Sequence, residues 1–145
     1  MGLNLESPEL FYEDIRALGI VFNNESRADE IIAYYQNIES QIDEMMADLS
    51  EDEKPSVLLI QYSEDGGEIS FNVPPARYLQ TTMIKKAGGN PAWLDADGGA
   101  SGWIKVGFEQ IAVWNPDMIF VVNYFGDPQE SAQKLVESET WAGLT

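Results

Sequence analysis

Val106-Gly107-Phe108-Glu109-Gln110-Ile111-Ala112-Val113-Trp114-Asn115-Pro116-Asp117-Met118-Ile119-Phe120-Val121-Val122-Asn123 is the stretch on which the fold turns. Its first half sets Phe108, Ile111, Ala112 and Trp114 on one apolar face at helical spacing. Asn115-Pro116-Asp117 stops that helix, because a residue before proline is driven out of the helical region. Met118 to Val122 is then an unbroken apolar run, the pattern of a strand covered on both faces, which predicts a mostly parallel sheet with helices on each side.

Toward the N-terminus, Ser56-Val57-Leu58-Leu59-Ile60-Gln61-Tyr62 is a second such run, bounded by the polar hinge Ser50 to Pro55. Between the two runs a helix is predicted from Pro75 to Ala87, with Tyr78, Leu79, Met83, Ile84 and Ala87 inward and Gly88-Gly89 as its left-handed stop. A short edge strand over 90–94 and a glycine-rich loop from Asp95 to Gly102 follow, and Pro128 to Val136 reads as a last helix. The alternation of strand and helix predicts an α/β, Rossmann-like three-layer lobe over 55–145 with right-handed crossovers.

The N-terminal third is different. Ser7-Pro8-Glu9 is a helix start, with Ser7 as cap and Pro8 at the first helical position. Leu10, Phe11, Ile15 and Leu18 form its stripe, and Gly19 is read as its end. After this leading helix (1–23), Ala28, Ile31, Tyr35, Ile38, Ile42, Met45 and Leu49 recur in steps of three and four through 24–50, a helix roughly 36 Å long at 1.5 Å per residue. A surface helix, a coiled-coil dimer and a strut joining two lobes all fit that stripe.

Composition narrows the chemistry. With 145 residues, 44% of them hydrophobic, the chain is long enough for one well-cored domain. It has no cysteine and no histidine, which removes thiol nucleophiles, disulfides, imidazole bases and the usual zinc or copper ligands, so no metal site and no cofactor is expected. Eight basic against 25 acidic residues give a net charge of −17, which argues against nucleic acid and anionic lipid as partners. No apolar run approaches a membrane span, and residues 1–20 lack the layout of a secretory signal.

Ligands of an open α/β sheet gather beyond the carboxyl ends of its strands. That edge brings Gln61, Tyr62 and Ser63 beside Asn123, Tyr124 and Phe125, with Asn72, Arg77, Tyr78, Trp93 and Trp103 on the joining loops. Gln61, Tyr62, Asn72, Arg77, Tyr78, Trp93, Trp103 and Tyr124 are the candidate ligand-binding residues, an aromatic and hydrogen-bonding set suited to a flat or greasy ligand with polar decorations. Arg77, one of three arginines, is predicted in the first turn of a helix, where its charge gains nothing from the dipole. The pairs Gly66-Gly67, Gly88-Gly89 and Gly98-Gly99 form no phosphate cradle, and Asp65, Asp95 and Asp97 do not have calcium-loop spacing. Ser63, Ser70 and Ser101 have no imidazole partner, so no catalytic residue is assigned.

Several segments together resemble the helical-backbone (class III) substrate-binding proteins of ABC importers, the group that carries ferric siderophores, haem and cobalamin. They are Leu18-Gly19, Glu25-Ser26-Arg27-Ala28, Pro55-Ser56-Val57-Leu58, Ile84-Lys85-Lys86-Ala87-Gly88-Gly89-Asn90, Phe108-Glu109-Gln110-Ile111, Asn115-Pro116-Asp117-Met118-Ile119-Phe120-Val121 and Thr140-Trp141-Ala142-Gly143-Leu144. The resemblance implies two α/β lobes bridged by one long helix, a ligand in the cleft between them, binding without turnover, and a permease as partner. It also implies an extracellular or periplasmic place and a lipid anchor in a longer parent, of which this chain would be the strut and C-terminal lobe. The alternative is a non-enzymatic oligomerisation module that forms a dimer through its long helix.

Overall fold

The computed structural model describes residues 7–65, 68–96, 102–124, 126–138 and 141. Gly66-Gly67, Asp97, Gly98-Gly99, Ser101, Phe125, Thr140 and the 142–144 tail lie outside the described residues. The chain divides into two compact units.

The first unit is helical: α1 (Pro8–Val21), α2 (Glu25–Met46) and α3 (Leu79–Lys86). Ser7 caps α1 as its sequence predicts, its Oγ accepting from the Leu10 amide at 3.3 Å. Gly19 does not end the helix. The stop is Asn23, at φ 51°; the Asn23 amide donates to the Ile20 carbonyl and the Asn24 amide to the Gly19 carbonyl, the paired bonds of a Schellman turn. Gly19 serves packing instead, since a Cβ there would lie 2.7 Å from Ala28 Cβ on α2. The 22 residues of α2 span about 33 Å. Its buried positions are Ala28 and Ile32, while the stripe members Tyr35 and Met45 are exposed. Tyr12 on α1 donates its hydroxyl to the Glu39 carboxylate on α2, and Lys86 on α3 reaches Asp43 at 3.1 Å and Glu39 at 3.6 Å. Burial and the neighbouring Glu39 carboxylate push the Tyr12 hydroxyl far above its ordinary range.

The α3 helix starts at Leu79, not at Pro75, with Tyr78 at the cap position. Arg77 therefore precedes the helix and is exposed, and the inward set shifts: Thr81 is buried, while Leu79 and Met83 are exposed. Gly88 does close the helix as expected, at φ +80°, close against Leu49 and Met46.

The second unit holds β1 (Ser56–Asp65), β2 (Glu68–Val73), β3 (Asn90–Pro91), β4 (Ile104–Val106), β5 (Met118–Val122), α4 (Phe108–Trp114) and α5 (Pro128–Glu137). The sheet is mixed, not mostly parallel. β1 pairs in parallel with β3 and β5, but its outer half turns back as an antiparallel hairpin with β2, and β4 pairs antiparallel with β2. The reason is visible in Ile69, Phe71 and Val73, which alternate with polar residues as a half-covered antiparallel strand does. β5 also departs from expectation: Met118 and Phe120 are each 47% exposed, so this strand is open on the face they share. Leu58, Ile60, Val73, Trp93 and Ile111 are fully buried, each burial contributing about 1.5–3 kcal/mol.

The opening motif has the helix, turn and strand that its sequence predicts, though Ala112 is exposed and β5 is open on one face. Asn115 closes α4 in the left-handed region at φ 41°, and Asp117 then fastens β5 to β1: its amide donates to the Ser56 carbonyl at 2.9 Å, and its carboxylate accepts from the Ser56 amide at 2.7 Å. Those two bonds fix the register Val57 to Met118, Leu58 to Ile119 and onward to Gln61 and Val122.

Candidate functional site

The carboxyl ends of β1 and β5 reach the same edge, where Tyr62-Ser63-Glu64 meets Asn123-Tyr124. Asp127 caps α5 there, accepting from the Gln129 amide at 2.8 Å, and directs the helix back along the sheet. Between strand ends and helix lies a concavity of about 300 Å³, lined by Tyr62, Ser63, Glu64, Asn123, Glu130 and Lys134 among others.

Its polar groups are linked. Lys134 reaches Glu64 at 2.9 Å and Glu130 at 3.3 Å, and the Tyr62 hydroxyl donates to the same Glu64 oxygen at 2.9 Å. Hydrogen bonds from Lys134 and Tyr62 hold the Glu64 carboxyl below its ordinary range. Bonds to Glu64 and Glu130 raise Lys134, and burial, with the bond to Glu64, raises Tyr62. Asn123 donates to Ser131 Oγ at 2.6 Å, and the Ser131 hydroxyl donates to the Asp127 carbonyl at 3.1 Å. A lysine kept protonated by two carboxylates is no nucleophile or base near neutral pH. The arrangement is equipped to hold a ligand by hydrogen bonds and charge.

The sequence-derived candidates fall into five places. Gln61 and Asn72 are register partners on neighbouring strands, so they share one face of the sheet, and Tyr62, the next residue of β1, points to the opposite face. Trp103 and Tyr124 meet edge to face, with ring centroids 6.2 Å apart; Tyr124 is 53% exposed. Trp93 is fully buried, and its indole donates to the Pro74 carbonyl at 2.6 Å, so it offers no surface to a ligand. Arg77 and Tyr78 belong to the helical unit. Glu64, Glu130, Ser131 and Lys134 were not among the candidates. The available signal was Lys134, one of two lysines in the strand unit, one turn after Glu130. Asp95 accepts from the Trp114 indole at 2.9 Å, and among the described residues no cluster of three metal-ligating side chains occurs.

The chain thus combines an α/β unit that carries a concave site at its strand ends with a helical unit built on one long helix. The family profile described as periplasmic binding protein matches residues 1–145, and the chain belongs to that family, a non-enzymatic, solute-binding class. No curated protein sequence matches the chain. Among solved structures, an ABC transporter substrate-binding protein from Listeria monocytogenes is similar with TM-score 0.81 and 18% identity, over 99% of this chain and 53% of that one. S. aureus IsdE, solved with haem, has TM-score 0.76 and 21% identity, over 97% of this chain and 52% of that one. The molybdate-binding protein MolA of Haemophilus influenzae has TM-score 0.72 and 16% identity, over 94% and 38%. The chain thus spans about half the length of the first two. Among the described residues no helix is long and apolar enough to cross a membrane.

Proposed function

We propose that residues 24–50 and 55–145 are the backbone helix and C-terminal lobe of the substrate-binding protein of an ABC importer. It acts outside the cytoplasmic membrane on a lipid anchor carried by a longer polypeptide, and delivers a metal complex, a ferric siderophore, haem or corrinoid, to a permease. The observation that carries this reading is the family match over all 145 residues; the likeness to about half of an ABC transporter substrate-binding protein supports it. The Trp103–Tyr124 pair and the Gln61–Asn72 pair supply one wall of the cleft, with the aromatic edge against the ligand's apolar surface and the amides against its polar rim.

The test is titration of the receptor containing this chain with ferric siderophores, haem, corrinoids and molybdate, followed by tryptophan fluorescence. Saturable quenching by a metal complex, weakened at least about fivefold by Tyr124→Ala, is expected, since an aromatic contact contributes about 0.5–1.5 kcal/mol beyond its buried area. No response to any of them from a folded protein would overturn the proposal.

A further inference from the structure

We infer that Lys105 is a specificity-determining residue: its ammonium, with the Asn72 and Gln61 amides beside it, takes an anionic oxygen of the ligand, whether carboxylate, phenolate or inorganic oxyanion. The inference rests on the ligand-binding role proposed for the Gln61–Asn72 wall. Lys105, Asn72 and Gln61 are successive register partners on β4, β2 and β1, so their side chains stand in one row on one face, each Cβ about 5 Å from the next. Ser63 and Ser70, the next register pair on that face toward the hairpin end, extend it with two hydroxyls.

The charge of this face is unlike that of the unit around it. Residues 55–76 and 89–145 carry two lysines and no arginine against eleven carboxylates, yet none of these five side chains is acidic. The helices pack on the other face, to which Glu64 and Phe71 alternate: Lys134 of α5 meets Glu64, and the rings of Phe71 and of Phe108 on α4 both meet Trp141. The acidic register pair Asp65–Glu68 lies at the hairpin end, with Glu68 roughly 13 Å along β2 from Asn72. Lys134 is committed to Glu64 and Glu130, at 2.9 and 3.3 Å. Lys105 is exposed, and its ammonium makes no ion pair or hydrogen bond among the described residues. An anionic oxygen therefore meets three available N–H donors on Lys105 and an amide donor on each of its two neighbours, and it displaces no carboxylate. A ligand cation at the same place meets a like charge.

The test measures dissociation constants by tryptophan fluorescence on the receptor containing this chain, for three anions (haem, a ferric triscatecholate and molybdate) and two uncharged complexes (a ferric trihydroxamate and a corrinoid). For whichever anion binds, Lys105→Gln should weaken binding at least about tenfold, the scale of a lost hydrogen bond to a charged group, while Lys105→Arg stays within about threefold. Lys85→Gln, the same change of charge on α3, should leave binding unaltered. The anion that responds identifies the oxygen as carboxylate, phenolate or inorganic oxyanion. An anion held as tightly by Lys105→Gln as by the unaltered protein, or saturable binding confined to the uncharged complexes, would overturn the role of Lys105 while leaving the receptor reading standing. Binding of none of the five, by a protein with an intact circular dichroism spectrum, would overturn both.

Discussion

Replacing Gly19 by alanine separates two accounts of that glycine by the sign of the effect. If Gly19 were only a helix interruption, alanine would favour the helix by about 0.5–1 kcal/mol, since glycine in a helix interior is the poorer residue. Here the new Cβ would stand 2.7 Å from Ala28 Cβ and 3.3 Å from the Glu25 Cα. Carbon atoms pack favourably at about 3.5–4.0 Å, so α1 and α2 must separate by roughly 1 Å. Overpacking of this kind costs about 1–3 kcal/mol, which exceeds the helix gain and leaves a net loss of about 1–2 kcal/mol. Urea unfolding followed by helical circular dichroism measures it. A second variant, Ala28→Gly, costs about 1 kcal/mol alone, but in the Gly19→Ala background it should restore much of the loss, and that non-additivity is the signature of direct contact. A neutral or stabilising Gly19→Ala would refute the close approach of the two helices.

Two further substitutions test the strand unit. Trp93→Phe removes the indole donor from the Pro74 carbonyl and shrinks a fully buried side chain; an unpartnered buried carbonyl and the vacated volume should together lower stability by about 2–4 kcal/mol, and a loss under about 1 kcal/mol in urea unfolding would contradict the buried bond. Lys134→Met should reduce the urea midpoint around neutrality. Because Glu64 is lowered from 4.5, the ion pair is fully formed above that value and its contribution is lost as the pH falls through the folded carboxyl. Because Lys134 is raised from 10.5, the contribution is lost again only as the pH rises beyond that value. A difference between the two proteins that persists in strong acid would show that the mutation acts by packing instead.

Much of the fold was legible because periodicity reports burial. The presence of α1, the long α2, the buried run of β1, the strand β5 and the proline-led start of α5 were all marked by spacing and caps. Gly19 misled because glycine signals either a helix end or a close approach, and only the partner Ala28, reached after the Asn23 turn, distinguishes them. The start of α3 misled for a related reason: Pro75 is a favoured first helical residue, but Pro74 and Pro75 are both fully buried, with the Pro74 carbonyl held by Trp93, and the chain turns once more before the helix begins. The hairpin was present in the alternation of Ile69, Phe71 and Val73, though the three-residue β4 is too short to announce itself. At the edge to which the strand-end rule points, the aromatic residues drew the eye away from Glu64 and Lys134, whose pairing joins positions 70 residues apart.

The two bonds between Asp117 and Ser56 lie at the entrance of β1 and β5, whereas Tyr62, Asn123 and Tyr124 lie at or just beyond their exits. Alignment is thus set at the opposite end of the two strands from those three residues. A substitution at the exit therefore leaves the register of the two strands in place.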